Sequence, residues 1–285
     1  MAVKGDPSPP LDPGDVVGIE AADGRPLKGR LWRASSNAPL LLVVHGVMSH
    51  SLWFHQLAHS LRSLDIALLA VDRRGAGLEP ERSGEPGNDQ VLVSDLAAWT
   101  DFAAAISDDL HLVGFCWGSN YALHYLGHHT DPIRSLILMA PGVAPRQTAM
   151  VQQPLDDLPP EAQLPIPLEL EDFTQGPALE GFLRPDPLRL THVSARFIGI
   201  QNMIGRWSAI RLVRLRLPLL TLLAEQDDIS DNARMKALFE RSSASPKTLI
   251  EVPGRHGIVF DAPGPVAAAC RQWLDRLHGM RSTPS

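Results

Sequence analysis

The stretch Leu112-Val113-Gly114-Phe115-Cys116-Trp117-Gly118-Ser119 decides how this chain is read. Leu110 to Val113 reads as a buried strand and Asn120 to Tyr125 as a helix, so Gly114-Phe115-Cys116-Trp117-Gly118 must turn the chain sharply between them. Strand, turn and helix leave one nucleophile, the Cys116 thiol, at the apex. Glycines two residues to either side have a steric reason, because a Cβ in so tight a turn would strike the neighbouring strand or helix. The apex residue is then held out from the sheet edge in a strained conformation.

Working outward, apolar runs alternate with helical patterns. Upstream, Asp15 to Ala22 and Pro26 to Ala34 form a hairpin pattern with Asp23-Gly24 as the turn signal. Leu40 to Val44 is a continuous apolar run that ends in His45-Gly46-Val47, followed by a helical segment from Leu52 to Leu64. Ile66 to Val71 is a second buried strand, stopping at Asp72-Arg73-Arg74-Gly75-Ala76-Gly77, and a polar loop leads to a helix from Gln90 to Ile106. Downstream, Ile133 to Met139 is a further strand. Strands alternating with helices at this spacing make a mostly parallel sheet wrapped on both faces.

The pattern breaks at Pro141, where Pro154, Pro159, Pro160, Pro165 and Pro167 punctuate an acidic segment. Short helical pieces are expected around Leu188 to Arg196 and Ile200 to Leu215. Phe173, Phe182, Phe197, Ile198, Ile200, Met203, Ile204 and Trp207 make this segment more apolar than a solvated loop requires, so residues 141–216 read as a lid over the active edge of the sheet. The core is 15–140 and 217–280. It resumes with a strand from Leu219 to Ala224 leading to Glu225-Gln226-Asp227-Asp228, and a helix from Asp231 to Arg241. A last strand, Thr248 to Val252, enters Pro253-Gly254-Arg255-His256-Gly257, and a helix from Pro265 to Leu277 closes the chain.

Composition narrows the classes. The 285 residues, 44% of them hydrophobic, suffice for one large core. A formal net charge of −6 with acids and bases interspersed carries no basic stripe, which argues against nucleic acid. Two cysteines are too few for a disulfide framework, and Cys270 sits in an apparent helix as a packing residue. Residues 1–14 read as a disordered lead-in without the apolar core of a signal peptide, and no run approaches the about 20 apolar residues of a membrane span. A soluble, cytoplasmic protein is expected.

The strand order, His45-Gly46, the Gly114-x-Cys116-x-Gly118 elbow, an acid after a late strand and a later histidine together resemble the α/β-hydrolase fold over nearly the whole chain from Asp15. Within it, His45-Gly46-x-x-x-His50-Ser51 and Asp72-x-Arg74-Gly75-x-Gly77 look most like the lysophospholipase and monoacylglycerol-lipase branch. The resemblance implies Cys116 as nucleophile, Asp227 as acid and His256 as base, in the order along the chain that this fold uses. Asp228 is a rival for the acid. The family pattern, with the acid three residues beyond a small strand-end residue, here Ala224, and an apolar residue two further on, here Ile229, favours Asp227. The strand after the elbow ends in Ala140-Pro141-Gly142 and offers no alternative carboxylate. Backbone N–H groups of Val47 and Trp117 are the implied oxyanion donors. His45 is expected to be structural, and His50, His55, His59, His111, His124, His128, His129 and His192 lack metal-ligand spacing, so no metal or cofactor is assigned. Arg206, Arg211, Arg214 and Arg216 either receive a phosphate-bearing carrier or face solvent.

A cysteine where most of these relatives carry serine changes the chemistry. Pairing with His256 promotes the reactive thiolate. In the tetrahedral intermediate of an ordinary ester, thiolate leaves more readily than alkoxide and the intermediate falls back. Thioesters and activated enol esters remove that handicap, and cysteine elbows are similar to those of dienelactone hydrolases, polyhydroxyalkanoate synthases and thioesterase-like cyclases. The leading expectation is therefore acyl transfer from an activated small-molecule or carrier-bound acyl substrate, ending in hydrolysis, transfer or cyclisation. A lysophospholipase- or monoacylglycerol-lipase-like esterase is the second reading and an idle scaffold that binds a ligand the third.

Overall fold

The computed structural model describes residues 11–79, 84–146 and 155–281. Asp15–Glu20 (β1) and Pro26–Trp32 (β2) form the hairpin, antiparallel, with Gly24 at the turn in the left-handed region at φ 79°. Of the lead-in expected to be disordered, residues 1–10 lie outside the described residues. The rest is fastened: Trp32 Nε1 donates to Asp12 O at 3.1 Å and Arg30 to Pro13 O at 2.9 Å.

Four apolar runs follow as strands buried on both faces, Leu40–Val44 (β3), Ala67–Val71 (β4), Leu110–Phe115 (β5) and Leu136–Met139 (β6). Two three-residue strands, Gln163–Pro165 (β7) and His192–Ser194 (β8), pair only with each other. Leu219–Ala224 (β9) and Lys247–Val252 (β10) complete an eight-stranded sheet in the order β1-β2-β4-β3-β5-β6-β9-β10. From β4 to β10 every neighbour is parallel. The carboxyl ends of β3, β5, β6, β9 and β10 therefore share one edge, where open α/β sheets place their ligands.

The helices are His55–Arg62 (α1), Asp89–Ala104 (α2), Gly118–Leu126 (α3), Leu170–Phe173 (α4), Ala195–Arg214 (α5), Asn232–Arg241 (α6), Ile258–Asp261 (α7) and Pro263–Arg281 (α8). Side-chain oxygens start three of them, Asn88 bonding Val91 N, Ser194 bonding Phe197 N and Asp231 bonding Arg234 N. α1 packs on α8, while α2 packs on α3 and α3 on α5. Cys270 is buried within α8, as its sequence context predicts. No helix of the described residues is long and apolar enough to cross a membrane.

The segment between β6 and β9 departs from the sequence pattern in detail. Instead of helical pieces at 188–196 and 200–215, residues 192–194 pair as β8 and a single 20-residue helix, α5, runs from Ala195. Val193 extends the chain against Leu164, and the Ser194 cap then sets the helix start. Of its apolar residues, Phe173, Phe197, Ile198 and Ile204 are buried, whereas Met203 and Trp207 are 38% and 54% exposed. The segment is hooked to the core by Asp186, whose Oδ2 accepts from Trp53 Nε1 at 2.9 Å and lies 2.8 Å from His50 Nε2. Leu190 N donates to Met48 O at 3.0 Å, and Gly257 N to Phe173 O at 2.8 Å.

Candidate active site

β5 delivers Cys116 to the sheet edge in the left-handed region, at φ 55°. Its N–H donates to Met139 O on β6, and its carbonyl accepts from Ser119 N and Gly142 N at 3.1 and 2.9 Å. The elbow is thus bonded on both sides. A Cβ on Gly114 would meet Ser119 Cα, and one on Gly118 would overlap the Val44 carbonyl oxygen, so the spacing of these glycines is imposed by the approach of α3 to β5 and β3.

His256 lies in the turn after β10 and is buried between aromatic rings, with Phe173 edge-on at 5.3 Å and Phe115 tilted at 5.9 Å between centroids. Its Nδ1 is 2.9 and 3.0 Å from the two carboxyl oxygens of Asp227, which follows β9. A carboxylate only accepts, so Nδ1 carries the proton. Asp227 Oδ1 also accepts from Ile229 N and Ser230 N at 2.9 and 2.7 Å. Burial would raise the Asp227 carboxyl, yet His256 and these two N–H groups hold it below its ordinary value. Asp228 points away and pairs with Arg255 at 2.8 Å.

Burial also pushes His256 down, but the Cys116 sulfur and Asp227 beside it outweigh burial and bring the imidazole up to about 10. Its Nε2 makes no aligned hydrogen bond among the described residues. The sulfur acting on its charge is that of Cys116.

The turn after β3 approaches the sulfur closely. A Cβ on Gly46 would lie 3.0 Å from Cys116 Cβ and 3.2 Å from Sγ. Ser49 Oγ takes up the Gly46 N–H at 2.9 Å. Among the described residues, the N–H groups of Val47 and Trp117 donate to no acceptor. His45 has the structural place expected of it. It accepts from Arg73 N at 3.1 Å and donates through Nδ1 to Gly46 O at 2.8 Å, and burial followed by the Arg73 charge holds it well below the ordinary imidazole value.

One residue at this turn had no signal in the sequence. Arg73 is buried, donates to Val47 O at 2.8 Å, and lies over the rings of Phe197 at 4.4 Å and Trp117 at 5.9 Å. Desolvation lowers its guanidinium to about 10. It ties the Val47 turn, the elbow and α5 together. In sequence, Asp72-Arg73-Arg74-Gly75 reads only as the loop that ends a strand, and nothing in the pattern separates a buried arginine from the exposed kind.

Cys116 borders a cavity of about 610 Å³ that is lined also by Val47, Trp117 and Asn120 from the core and by Gln201 and Arg206 from α5. Trp117 both lines the cavity and packs on Phe197, with centroids 5.1 Å apart. Of the four arginines singled out in the sequence, Arg206 alone lines it; Arg211 is partly buried near α3, and Arg214 and Arg216 are exposed. Among the described residues no group of three or more His, Cys, Asp or Glu is arranged to hold a metal ion.

The pattern of the family described as serine aminopeptidase, S33, matches residues 35–263. Monoglyceride lipase of Mus musculus is 24% identical over 256 residues, spanning 86% of this chain and 84% of the relative. A soluble variant of monoglyceride lipase from Saccharomyces cerevisiae, solved with a substrate analogue, superposes with a TM-score of 0.78 at 21% identity, covering 95% of this chain and 99% of its own. Monoacylglycerol lipase of Paleococcus ferrophilus superposes with a TM-score of 0.73 at 20% identity, over 87% and 98%. The architecture is that of the α/β-hydrolase fold.

Proposed function

Because the chain belongs to the S33 serine aminopeptidase family of α/β-hydrolases, we propose that it is a covalent ester hydrolase of the monoglyceride-lipase kind, working through Cys116, His256 and Asp227 on a small-molecule acyl substrate. The hydrogen-bonded Asp227–His256 pair set beside an elbow thiol carries this reading. The relatives, named as monoglyceride lipases, weigh toward the second reading, a carboxylic ester hydrolase, over the leading one of an activated acyl donor released by hydrolysis, transfer or cyclisation. Two unpaired thiols fit a reducing, cytoplasmic setting.

In this mechanism the Cys116 sulfur attacks the carbonyl carbon, its proton having passed to His256 Nε2, and the carbonyl π electrons move to oxygen. The free N–H groups of Val47 and Trp117 receive that oxyanion. Collapse re-forms the carbonyl and breaks the bond to the leaving group, which takes the proton from His256 Nε2. An acyl thioester on Cys116 remains. Acylation also removes the sulfur charge, the leading cause that raises His256. With burial then opposed by Asp227 alone, the imidazole gives up its proton more readily and becomes a competent base. It next takes a proton from water as the hydroxyl oxygen attacks the thioester, and the acid and free thiol are released.

The cysteine favours a second feature, good leaving groups. Thioesters and enol esters compete with the Cys116 sulfur for departure unaided, whereas a simple alkoxide departs only as it takes the proton from His256 Nε2. The segment from Pro141 to Arg216 acts as a lid, since α4 and α5 supply Phe173 against His256 and Gln201 and Arg206 to the cavity.

Intact-protein mass spectrometry of wild type and Cys116→Ala, exposed to matched thioesters, enol esters and oxygen esters, tests the proposal. An acyl adduct on wild type alone that decays in water is expected. Absence of both an adduct and Cys116-dependent turnover with every donor would overturn it, while an adduct that persists until an alcohol or amine is added would move the assignment to acyl transfer.

A further inference from the structure

The Arg73 guanidinium is a buried cation that no carboxylate touches among the described residues, and it contacts both residues whose N–H groups are the proposed oxyanion donors. It stays charged at neutral pH, although desolvation lowers it to about 10. Asp72, its neighbour in the chain, spends its carboxyl elsewhere, accepting from Ser51 N, Ser51 Oγ and Leu78 N at 2.6, 3.1 and 3.0 Å. Taking a charge out of water without a partner costs stability, so the place of this one has to be explained by what it holds.

Arg73 holds Val47 from two sides. A trans peptide unit is planar, so the Val47 N–H points opposite to the Gly46 carbonyl. That carbonyl accepts from His45 Nδ1 at 2.8 Å, and His45 Nε2 in turn accepts from Arg73 N at 3.1 Å. The peptide plane after Val47 is anchored by the Arg73 side chain, whose Nη2 donates to Val47 O at 2.8 Å. With both planes fixed, the Val47 N–H has a fixed direction. The same guanidinium lies 5.9 Å from the Trp117 ring centroid and 4.4 Å from that of Phe197 on α5, so it also braces the residue that carries the other donor. Arg73 does not line the cavity and can act on a reaction there only through these neighbours.

The geometry points to Arg73 as a positioning residue for the proposed oxyanion hole, one that keeps the Val47 and Trp117 N–H groups in place and sets a fixed positive charge beside them. This inference rests on the proposed acyl-enzyme reading. Preorganised donors and a nearby cation gain most when negative charge develops on the carbonyl oxygen, so the effect belongs to the transition state and not to the binding of a neutral ester. Attack of the sulfur on a saturated carbon builds no such charge. The two kinds of attack therefore separate this role from a general one in packing.

The test compares wild type, Arg73→Met and Arg73→Lys in four readouts. Two are kcat and KM with whichever thioester or enol ester wild type turns over fastest in the adduct panel. The third is inhibition by a trifluoromethyl ketone carrying the same acyl chain, which forms a hemithioketal: the Cys116 Sγ–C bond forms, the carbonyl π pair moves to oxygen, and the thiol proton passes to His256 Nε2. The fourth is the rate at which iodoacetamide alkylates Cys116. Arg73→Met should lower kcat and weaken the ketone by the same factor, about thirtyfold, part of what a lost oxyanion donor costs, with KM and alkylation within about twofold. Arg73→Lys keeps the charge without the planar guanidinium, and should lose about fivefold in the same two readouts. Melting temperatures check that the fold persists, and if Arg73→Met does not fold, the lysine variant decides. Losses in all four readouts, a lower melting temperature alone, or wild-type values in both variants would overturn the inference. A wild type that forms neither an acyl nor a ketone adduct would instead sink the acyl-enzyme reading, and this inference with it.

Discussion

At Cys116 the backbone sits at φ 55° with a side chain present, a conformation that costs a non-glycine residue about 1–2 kcal/mol and is stable only because β6, α3 and Gly142 bond the elbow from several sides. Cys116→Gly should therefore be more stable than Cys116→Ala by about 1 kcal/mol in urea unfolding, since both lose the thiol and only glycine is free of the strain. An alanine variant as stable as the glycine one would show that the elbow is not strained. His256 makes a second prediction. Its folded value of about 10 lies above the ordinary 6.5, so its contribution to stability is complete below pH 6.5 and is lost as pH rises through about 10. The difference in melting temperature between wild type and His256→Gln should shrink over that window, and a constant difference would refute the ion-pair account. The adjacent acids show what the sequence could and could not carry at this scale. The resemblance, applied from Ala224, favours Asp227, and the structure puts the Asp227 carboxyl on His256 and Asp228 on Arg255. Arg73, by contrast, was invisible because its burial arises from Phe197, which is distant in sequence.

Among the elements, the turn after β3 and the insertion meet at the sulfur, and each has its own sensitivity. A Cβ on Gly46 would crowd Cys116 Cβ and Sγ and the Ser49 hydroxyl, so Gly46→Ala should lower kcat/KM by at least about tenfold while the fold persists. Parallel unfolding curves would distinguish that loss from general destabilisation. Asp186→Ala removes the acceptor of buried Trp53 Nε1 and the partner of buried His50, at a cost of about 1–3 kcal/mol. Its insertion should become the first region cut in limited proteolysis, and a cleavage map like that of wild type would mean that the remaining contacts hold it. β3 and β4 were legible because continuous apolar runs of five or six residues leading into glycine-bearing turns fit a doubly covered parallel sheet. β7 and β8 were not, since three-residue strands, one ending in Pro165, carry no period. α5 read as two pieces because the sequence does not show that Ser194, rather than a residue further back, is the cap, nor that Gly199 is carried within one helix.

For the molecule as a whole, several histidines are matched to carboxylates, and their response to acid is shared. Burial would raise Asp109, Asp186 and Asp227, but His111 and His278, His50, and His256 respectively hold them below the ordinary carboxylate value. Each contributes stability above about pH 4 that is lost as the pH falls through its depressed folded value. A double variant, Asp109→Asn with Asp186→Asn, should therefore show a flatter decline of melting temperature below pH 4 than wild type. An unchanged slope would place the acid sensitivity elsewhere. The sheet order has another consequence, for the chain as it is being made. Cys116, the proposed nucleophile, stands at the end of β5, whereas Asp227 and His256 follow β9 and β10, the last strands of the sheet in chain order. Chains fold from the N-terminus as they emerge, so during synthesis the thiol exists for more than a hundred residues of growth without its base or acid. An unfinished or prematurely terminated chain carries an ordinary cysteine. On the proposed mechanism, reactivity toward acyl groups begins only once β9 and β10 dock and bring Asp227 and His256 to the sulfur, so their docking is the event that arms it.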